Sequence, residues 1–364
     1  MKTYLECVPC LLRQAVDVLE RCRLPPEDRS RCLKSVLAAL SEADFSASPP
    51  AMAARIHGLL QRHTGVPDPY RAAKARMNWF ALNLLPRLRR EVRNADKPFE
   101  AAVRLAIAGN IIDIGAADHL RPGSVGEALR GALESPVVGD PQALAEAVEE
   151  EESILYLADN AGEIVFDQLL LERLPAEKVT VAVRGHAVLN DATLADACAT
   201  GLTRQWRVID NGSGVPGTDL SSCSKPFRRA FREAGLVVAK GQGNYETLSD
   251  APKRIVHLLR VKCPVIARDL GCDVGSMVVR ESRGNGDEGP PFNQAAALHT
   301  GEESIDLAEA KGRNLDVTQE SAPPGCSGHP RGLKRATPRK LRQGWRSYGV
   351  SQEADPPGDP NTPG

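Results

Sequence analysis

The chain carries almost no excess of charge of either sign. Its 46 Lys and Arg stand against 47 Asp and Glu, a formal net charge of -1, which excludes a whole-surface field for nucleic acid or membrane. No uninterrupted apolar run approaches a membrane span. The start, Met1 to Cys7, lacks the long apolar core of a secretory signal, so a cytoplasmic protein is expected. Cys7 and Cys10 form a Cys-x-x-Cys pair, but no second such pair and no His pair accompanies it. That is half of a zinc site at most. No strand precedes the pair as in a thioredoxin-like unit, so buried or accessory thiols are expected there. The nine cysteines are an odd number, and Cys32, Cys198 and Cys263 sit singly in apolar patterns, as buried thiols do in a reducing compartment. No internal repeat is present.

What is present divides into three stretches. The 364 residues suffice for two domains, or for one large domain with an appendage. Residues 1–150 read as a helical subdomain. Leu11, Leu12, Ala15, Val16, Val18 and Leu19 recur at helical spacing. Pro25-Pro26 and Ser48-Pro49-Pro50 are helix starts. A long segment after Pro69 runs to a break near Pro86, and Phe99 to Ile114 is apolar nearly all round, as in a buried helix. Asn110 and Asp113 lie in that segment and need polar partners, which makes it a candidate wall of a site.

Residues 151–280 alternate β-type runs at 154–158, 179–183, 207–209, 236–239 and 265–267 with helical stretches at 164–174, 192–199, 226–234 and 251–259. That is the pattern of a parallel sheet covered by helices on both faces. Residues 281–364 hold 22 Gly and Pro but only nine Leu, Ile, Val or Phe, too few to offset chain entropy, so a disordered low-complexity tail is expected. Within it, 331–346 carries seven basic residues, no acid and Trp345, a segment able to touch nucleic acid or anionic lipid, although a solvated tail has the same composition.

Four loops in the middle stretch carry chemistry. The run Ser153–Ala158 ends in Asp159-Asn160-Ala161-Gly162-Glu163, where a strand of an open parallel sheet delivers ligands to the crevice at its carboxyl end. Asp159 and Asn160 offer hard oxygen donors for a divalent ion, though such a pair also caps helices. Asp191 follows one β-α unit later and has the same two readings. Two carboxylates and an amide converging there suit an octahedral oxygen site that keeps several waters. Arg184 leaves the preceding strand and is able to meet a phosphate; His186 reads as surface or supporting. The glycine-rich loop 209–218 suits close approach to a substrate. Lys240-Gly241-Gln242-Gly243-Asn244 is neither a Walker A motif nor a dinucleotide fingerprint, but its amides form an anion nest, Lys240 supplies a point charge, and Asn244 caps a helix or holds a phosphate oxygen.

Taken in order, Glu6-Cys7-Val8-Pro9-Cys10, Gly109-Asn110-Ile111-Ile112-Asp113, Asp159-Asn160-Ala161-Gly162-Glu163, Asn190-Asp191-Ala192-Thr193, Lys240-Gly241-Gln242-Gly243-Asn244 and Gly271-Cys272-Asp273-Val274-Gly275-Ser276 resemble the damage-control phosphatases, formerly domain of unknown function 89, in the prokaryotic branch with an N-terminal Cys-x-x-Cys. The resemblance covers residues 1–280. It implies an α/β fold: a helical N-terminal subdomain packed on a three-layer α/β/α Rossmann-like core. It also implies a divalent metal (Mn, Ni, Co or Mg) on Asp159, Asn160 and Asp191, with phosphate contacts from Lys240, Gly241 and Asn244. The activity it implies is hydrolysis of small phosphorylated metabolites such as damaged sugar phosphates. On that reading Asp159 and Asp191 are catalytic and activate a water, an aspartyl-phosphate at Asp159 being the less favoured variant. Arg184, Asn110 and Asp113 contact substrate. The partner is a small phosphorylated molecule, with no membrane and no nucleic acid expected at the core. The alternatives are an S-adenosylmethionine-dependent carboxyl methyltransferase, for which no clear glycine-rich cofactor loop follows the first strand, and a non-catalytic nucleotide or nucleic-acid binding module.

Overall fold

The computed structural model describes residues 1–109 and 131–282. Asn110, Asp113 and nearly all of the expected tail (283–364) lie outside them. All described residues belong to one compact unit, Met1–Leu298. Five helices come first: α1 Cys7–Arg21, α2 Pro26–Ser41, α3 Pro49–Thr64, α4 Arg71–Asn94 and α5 Pro98–Ala108. Proline opens α2, α3 and α5, where its missing N–H has no partner to lose. Ser48 caps α3 by accepting from the Ala51 amide, and Gly65 ends it in the left-handed region at φ 67°.

The expected break near Pro86 is absent: α4 runs through it. Proline removes one intrahelical hydrogen bond, but Leu85, Leu88 and Val92 around it are all buried. Each such side chain contributes about 1.5–3 kcal/mol, enough to hold the helix together.

The sheet contains β1 Val137–Val138, β2 Ile154–Leu157, β3 Val179–Val183, β4 Arg207–Asp210, β5 Leu236–Lys240, β6 Ile255–Arg260 and β7 Met277–Ser282 in the order β1-β7-β6-β5-β2-β3-β4. The strands from β6 to β4 are mutually parallel, whereas β7 is antiparallel to β6. Among the described residues the further α-helices with both ends described are α6 Pro141–Glu150, α7 Glu163–Leu171, α8 Leu194–Ala199, α9 Lys225–Glu233, α10 Gly241–Leu248 and α11 Pro264–Leu270. Alternate strand residues enter two cores. Ile154, Tyr156, Val181 and Val238 pack with the N-terminal helices and α7, while Leu155, Leu157, Val237 and Ala239 pack with Phe227 and Phe231 of α9. Both faces are therefore covered, as a parallel sheet requires.

Two elements exchange types relative to expectation. The run at 251–259, read as a helix, is largely β6; 265–267, read as a strand, lies in α11. Short apolar runs look alike in either state. Ile255 to Leu259 are buried on both faces, as an inner strand demands, and Pro264 sits where a helix starts. The sheet also begins before residue 150, at β1, and β7 reaches Ser282, with Glu281 paired to Arg254 at 2.7 Å. Of the three cysteines expected inside, Cys32 is buried, Cys263 half-buried and Cys198 exposed.

His57 is buried, with no partner for its Nε2 among the described residues, and burial depresses its pKa to about 4 although Asp17 pulls the other way. The unfolded chain thus takes up a proton on this residue near pH 6.5 that the fold refuses, so stability is lost as pH falls from 6.5 towards 4. Urea unfolding of wild type and His57→Gln at pH 7 and pH 4.5 is expected to show wild type losing about 2–3 kcal/mol more than the variant over that interval.

Candidate active site

Strand register alone brings the site together. Leu157 lies opposite Ala182 of β3 and Ala239 of β5, so Asp159, two residues on, comes level with Arg184 and Gly241. Val183 lies opposite Asp210, which brings Asn211 beside Arg184. Because these strands are parallel, all four leave the sheet at one edge. The strand order reverses between β2 and β5, the crevice where open α/β sheets bind ligands.

The ribbon carrying Asp191 is then laid between two of these loops. The Ala161 amide donates to Asn190 O at 2.8 Å, the Ala192 amide to Asp159 O at 2.8 Å and the Arg184 amide to Ala192 O at 2.9 Å. Leu189 enters the ribbon at φ 45°, a conformation uncommon for a residue with a branched side chain. Neither acid is a helix cap: Gly162 precedes α7 with no side-chain cap, and α8 is closed by a Thr193–Asp196 capping box. Asn78 of α4 accepts the Gly162 amide at 2.7 Å and donates to Asp196 at 2.9 Å, fixing both loops against the helical part.

Asp159, Asn160 and Asp191 form the floor of a cleft of about 630 Å³. One wall is α1, which contributes Cys7, Cys10, Gln14 and Asp17 at i, i+3, i+7 and i+10; Pro216, Gln242, Glu246 and Lys262 add others. A smaller depression of about 450 Å³ opens at the amino ends of the strands, around Ser153, Thr180 and Arg207, away from the acid cluster. Burial holds the Asp159 carboxyl well above the usual range, helped by the charges of Asp191 and Glu163. Burial also raises Asp191, against the pull of Arg184. Gly241 sits at φ 79°, and a Cβ there would overlap Asp159 Oδ2. Asn160 Nδ2 donates to Asp159 Oδ2 at 2.8 Å and to Glu163 Oε2 at 3.1 Å, which leaves its carbonyl oxygen for a ligand. Two buried carboxylates and a carboxamide oxygen, electrostatically uncomfortable together, fit a hard divalent cation that keeps waters. Among the described residues no group of three His, Cys, Asp or Glu is spaced as a metal cluster.

The cations expected to meet a phosphate are differently engaged. Lys240 is fully buried, and its ammonium donates to Ala106 O at 2.9 Å, Glu163 Oε1 at 2.7 Å and Asp167 Oδ1 at 2.5 Å. Its three protons are used there. Burial opposes its charge, but Asp167 and Glu163 outweigh burial and keep it protonated. Arg184, 2% exposed, donates to Asp191 Oδ2 at 2.7 Å and more loosely to Thr218 and Asn244 at 3.4 Å. Asn244 lies inside α10 rather than capping it; its Oδ1 accepts from Thr218 at 2.7 Å and its Nδ2 donates to Lys240 O at 2.7 Å. His186 is exposed.

Glu163, Asp167 and Thr218 were not singled out in the sequence. The first two were legible as acids facing inward on an otherwise apolar helix, a placement that demands a buried partner.

A model of the damage-control phosphatase ARMT1-like domain matches residues 3–278. The chain belongs to this family. It is 37% identical to a damage-control phosphatase of Archaeoglobus fulgidus over 291 residues, covering 75% of this chain and 97% of that protein. It is 32% identical to damage-control phosphatase PH1575 of Pyrococcus horikoshii over 289 residues, covering 78% and 99%. The crystal structure of that Pyrococcus protein, titled a DUF89 family protein, superposes with a TM-score of 0.72 at 31% identity, covering 77% of this chain and 99% of its own. Among the described residues no helix is long and apolar enough to cross a membrane.

Lys240→Met leaves Glu163 and Asp167 buried without their cation. A loss of about 3–5 kcal/mol is expected, read as a fall of roughly 10 °C in melting temperature. A melting temperature equal to wild type would mean the ammonium is free to serve the cleft.

Proposed function

We propose that the chain is a metal-dependent phosphomonoester hydrolase of the Cys-x-x-Cys branch, built on a Rossmann-like core and acting on small phosphorylated metabolites such as sugar phosphates. Membership of a phosphatase family supports the reaction class. The observation that carries the metal dependence is the meeting of Asp159, Asn160 and Asp191 at the floor of the cleft, neither acid occupied as a helix cap.

These three side chains would hold a divalent ion (Mn, Ni, Co or Mg), which would neutralise phosphate charge and acidify a water. The rest falls to the protein. Arg184 fixes the Asp191 carboxylate at 2.7 Å and reaches Asp159 at 3.8 Å, so both acids stay aimed at the cleft. Asp159 or Asp191 orients the attacking water and takes its proton, as a carboxylate of raised basicity can. The start of α10 at Gly241 presents backbone N–H groups to the same crevice, a place for phosphate oxygens. Lys240 acts from behind, compensating Glu163 and Asp167 so that the acid cluster can be buried at all.

Asp159→Asn is the decisive variant. Phosphate release from a panel of sugar phosphates, with Mn²⁺, Mg²⁺, Co²⁺, Ni²⁺ or EDTA, is expected to need a metal and to fall at least about 100-fold in the variant. Its melting temperature in EDTA should be no lower than that of wild type, since a crowding negative charge is removed. Metal-independent release, or wild-type rates in the variant, contradicts the assignment. Binding of S-adenosylmethionine by calorimetry, without phosphate release, would favour a methyltransferase.

A further inference from the structure

With Lys240 and Arg184 committed to buried acids, any cationic side chain that meets the substrate must come from elsewhere in the cleft. Among the described residues lining it, the other cationic side chains are Arg13 of α1 and Lys262, in the connection from β6 to α11. Both are exposed, and neither side chain has an ion pair or hydrogen bond among the described residues. Of the acids lining the cleft, Glu6 is compensated by Arg268 at 2.7 Å, Asp17 by Arg21 at 2.9 Å and Asp191 by Arg184 at 2.7 Å, while Glu246 is a neighbour of Lys262. Lys262 lines the same cleft as Asp159, Asn160 and Asp191. Arg13 is on the α1 wall of that cleft, about 9 Å along the helix axis from Cys7.

Beside Arg13, the Gln14 Oε1 is a buried acceptor with no donor among the described residues, an arrangement that calls for a ligand hydroxyl or amine. Tyr70 is the one aromatic ring among the described lining residues. Its hydroxyl donates to Asp17 at 2.6 Å and it is 3% exposed, so it offers no stacking face for a nucleobase.

Building on the phosphatase reading, we propose that the cleft is made for a phosphorylated sugar or polyol carrying a second anionic group: Lys262 faces the transferred phosphate at the acid cluster, Gln14 accepts from a hydroxyl, and Arg13 binds the second anion, a phosphate or carboxylate. Guanidinium geometry suits either anion in bidentate fashion.

The test compares matched pairs: glucose 1-phosphate with glucose 1,6-bisphosphate, and glucose 6-phosphate with 6-phosphogluconate, with AMP as a nucleobase-bearing monophosphate. Wild type is expected to favour the doubly anionic member at least about 10-fold in kcat/KM, mainly through KM. Arg13→Gln should bring that ratio close to one and Arg13→Lys should restore part of it. Lys262→Gln should lower kcat/KM for both members alike. Equal kcat/KM within the pairs, a preference that survives Arg13→Gln, or a preference for AMP overturns the assignment.

Binding of glucose 1,6-bisphosphate and glucose 1-phosphate by calorimetry separates this assignment from the phosphatase reading. Tighter bisphosphate binding lost in Arg13→Gln, without phosphate release under any metal, keeps the anion subsite and removes the phosphatase. Equal binding removes the subsite whatever the turnover. Arg13 is exposed, so its variants are expected to melt with wild type.

Discussion

The ammonium of Lys240 is where three parts of the chain are tied together. It leaves the end of β5 and donates to a carbonyl of α5 and to two carboxylates of α7, all within the protein. Without it Glu163 and Asp167 would lie inside the fold with no cation between them. Even with it, burial pushes Asp167 up to about 6, and only one of its oxygens is satisfied, by Lys240 and by Tyr156 at 2.9 Å. A buried ion network of this kind is weak evidence for stability. Its place one layer behind Asp159 and Asn160 points to another use: it fixes Glu163, which accepts from Asn160, and so orients the amide at the cleft floor.

The floor itself shows the cost of function. Asp159 and Asp191 are drawn together by a ribbon of backbone hydrogen bonds, and burial raises both pKa values. The fold would be more comfortable without one of them. Such local conflict with the otherwise consistent apolar patterning is what the proposed metal site accounts for. Gly241 belongs to the same arrangement, because only a residue without a Cβ leaves room for the Asp159 carboxylate.

Much of this was readable in advance. Four of the five strands expected in the middle of the chain lie where the apolar runs end in Asp159, Arg184, Asn211 and Lys240, because strand ends and polar residues are local signals. The fifth was misplaced because Ile255 to Leu259 and Val265 to Ala267 are short and apolar, and only sheet neighbours decide which becomes a strand. The convergence of Asp159 with Asp191 was also legible, since parallel β-α units return every loop to the same edge. Side-chain commitments were not. Nothing local shows that Lys240 turns inward to α7 rather than outward to a ligand, or that Arg184 spends its donors on Asp191, Thr218 and Asn244. Those choices depend on residues 60 to 134 positions away in the chain: Ala106, Glu163 and Asp167 for Lys240, and Asn244 for Arg184. The face of α1 that lines the cleft was present as the spacing of Cys7, Cys10, Gln14 and Asp17, but it is a polar stripe on a helix, which usually means solvent.

The central claim is that the buried acids at the ends of β2 and β3 are prepared for a divalent cation. Titration of Mn²⁺ followed by the loss of its free-ion electron paramagnetic resonance signal tests this without reference to any substrate. One Mn²⁺ per chain is expected in wild type, with binding abolished in the Asp159→Ala, Asp191→Ala double variant that remains folded by circular dichroism. Equal Mn²⁺ uptake by the double variant, or none by wild type, would contradict the account.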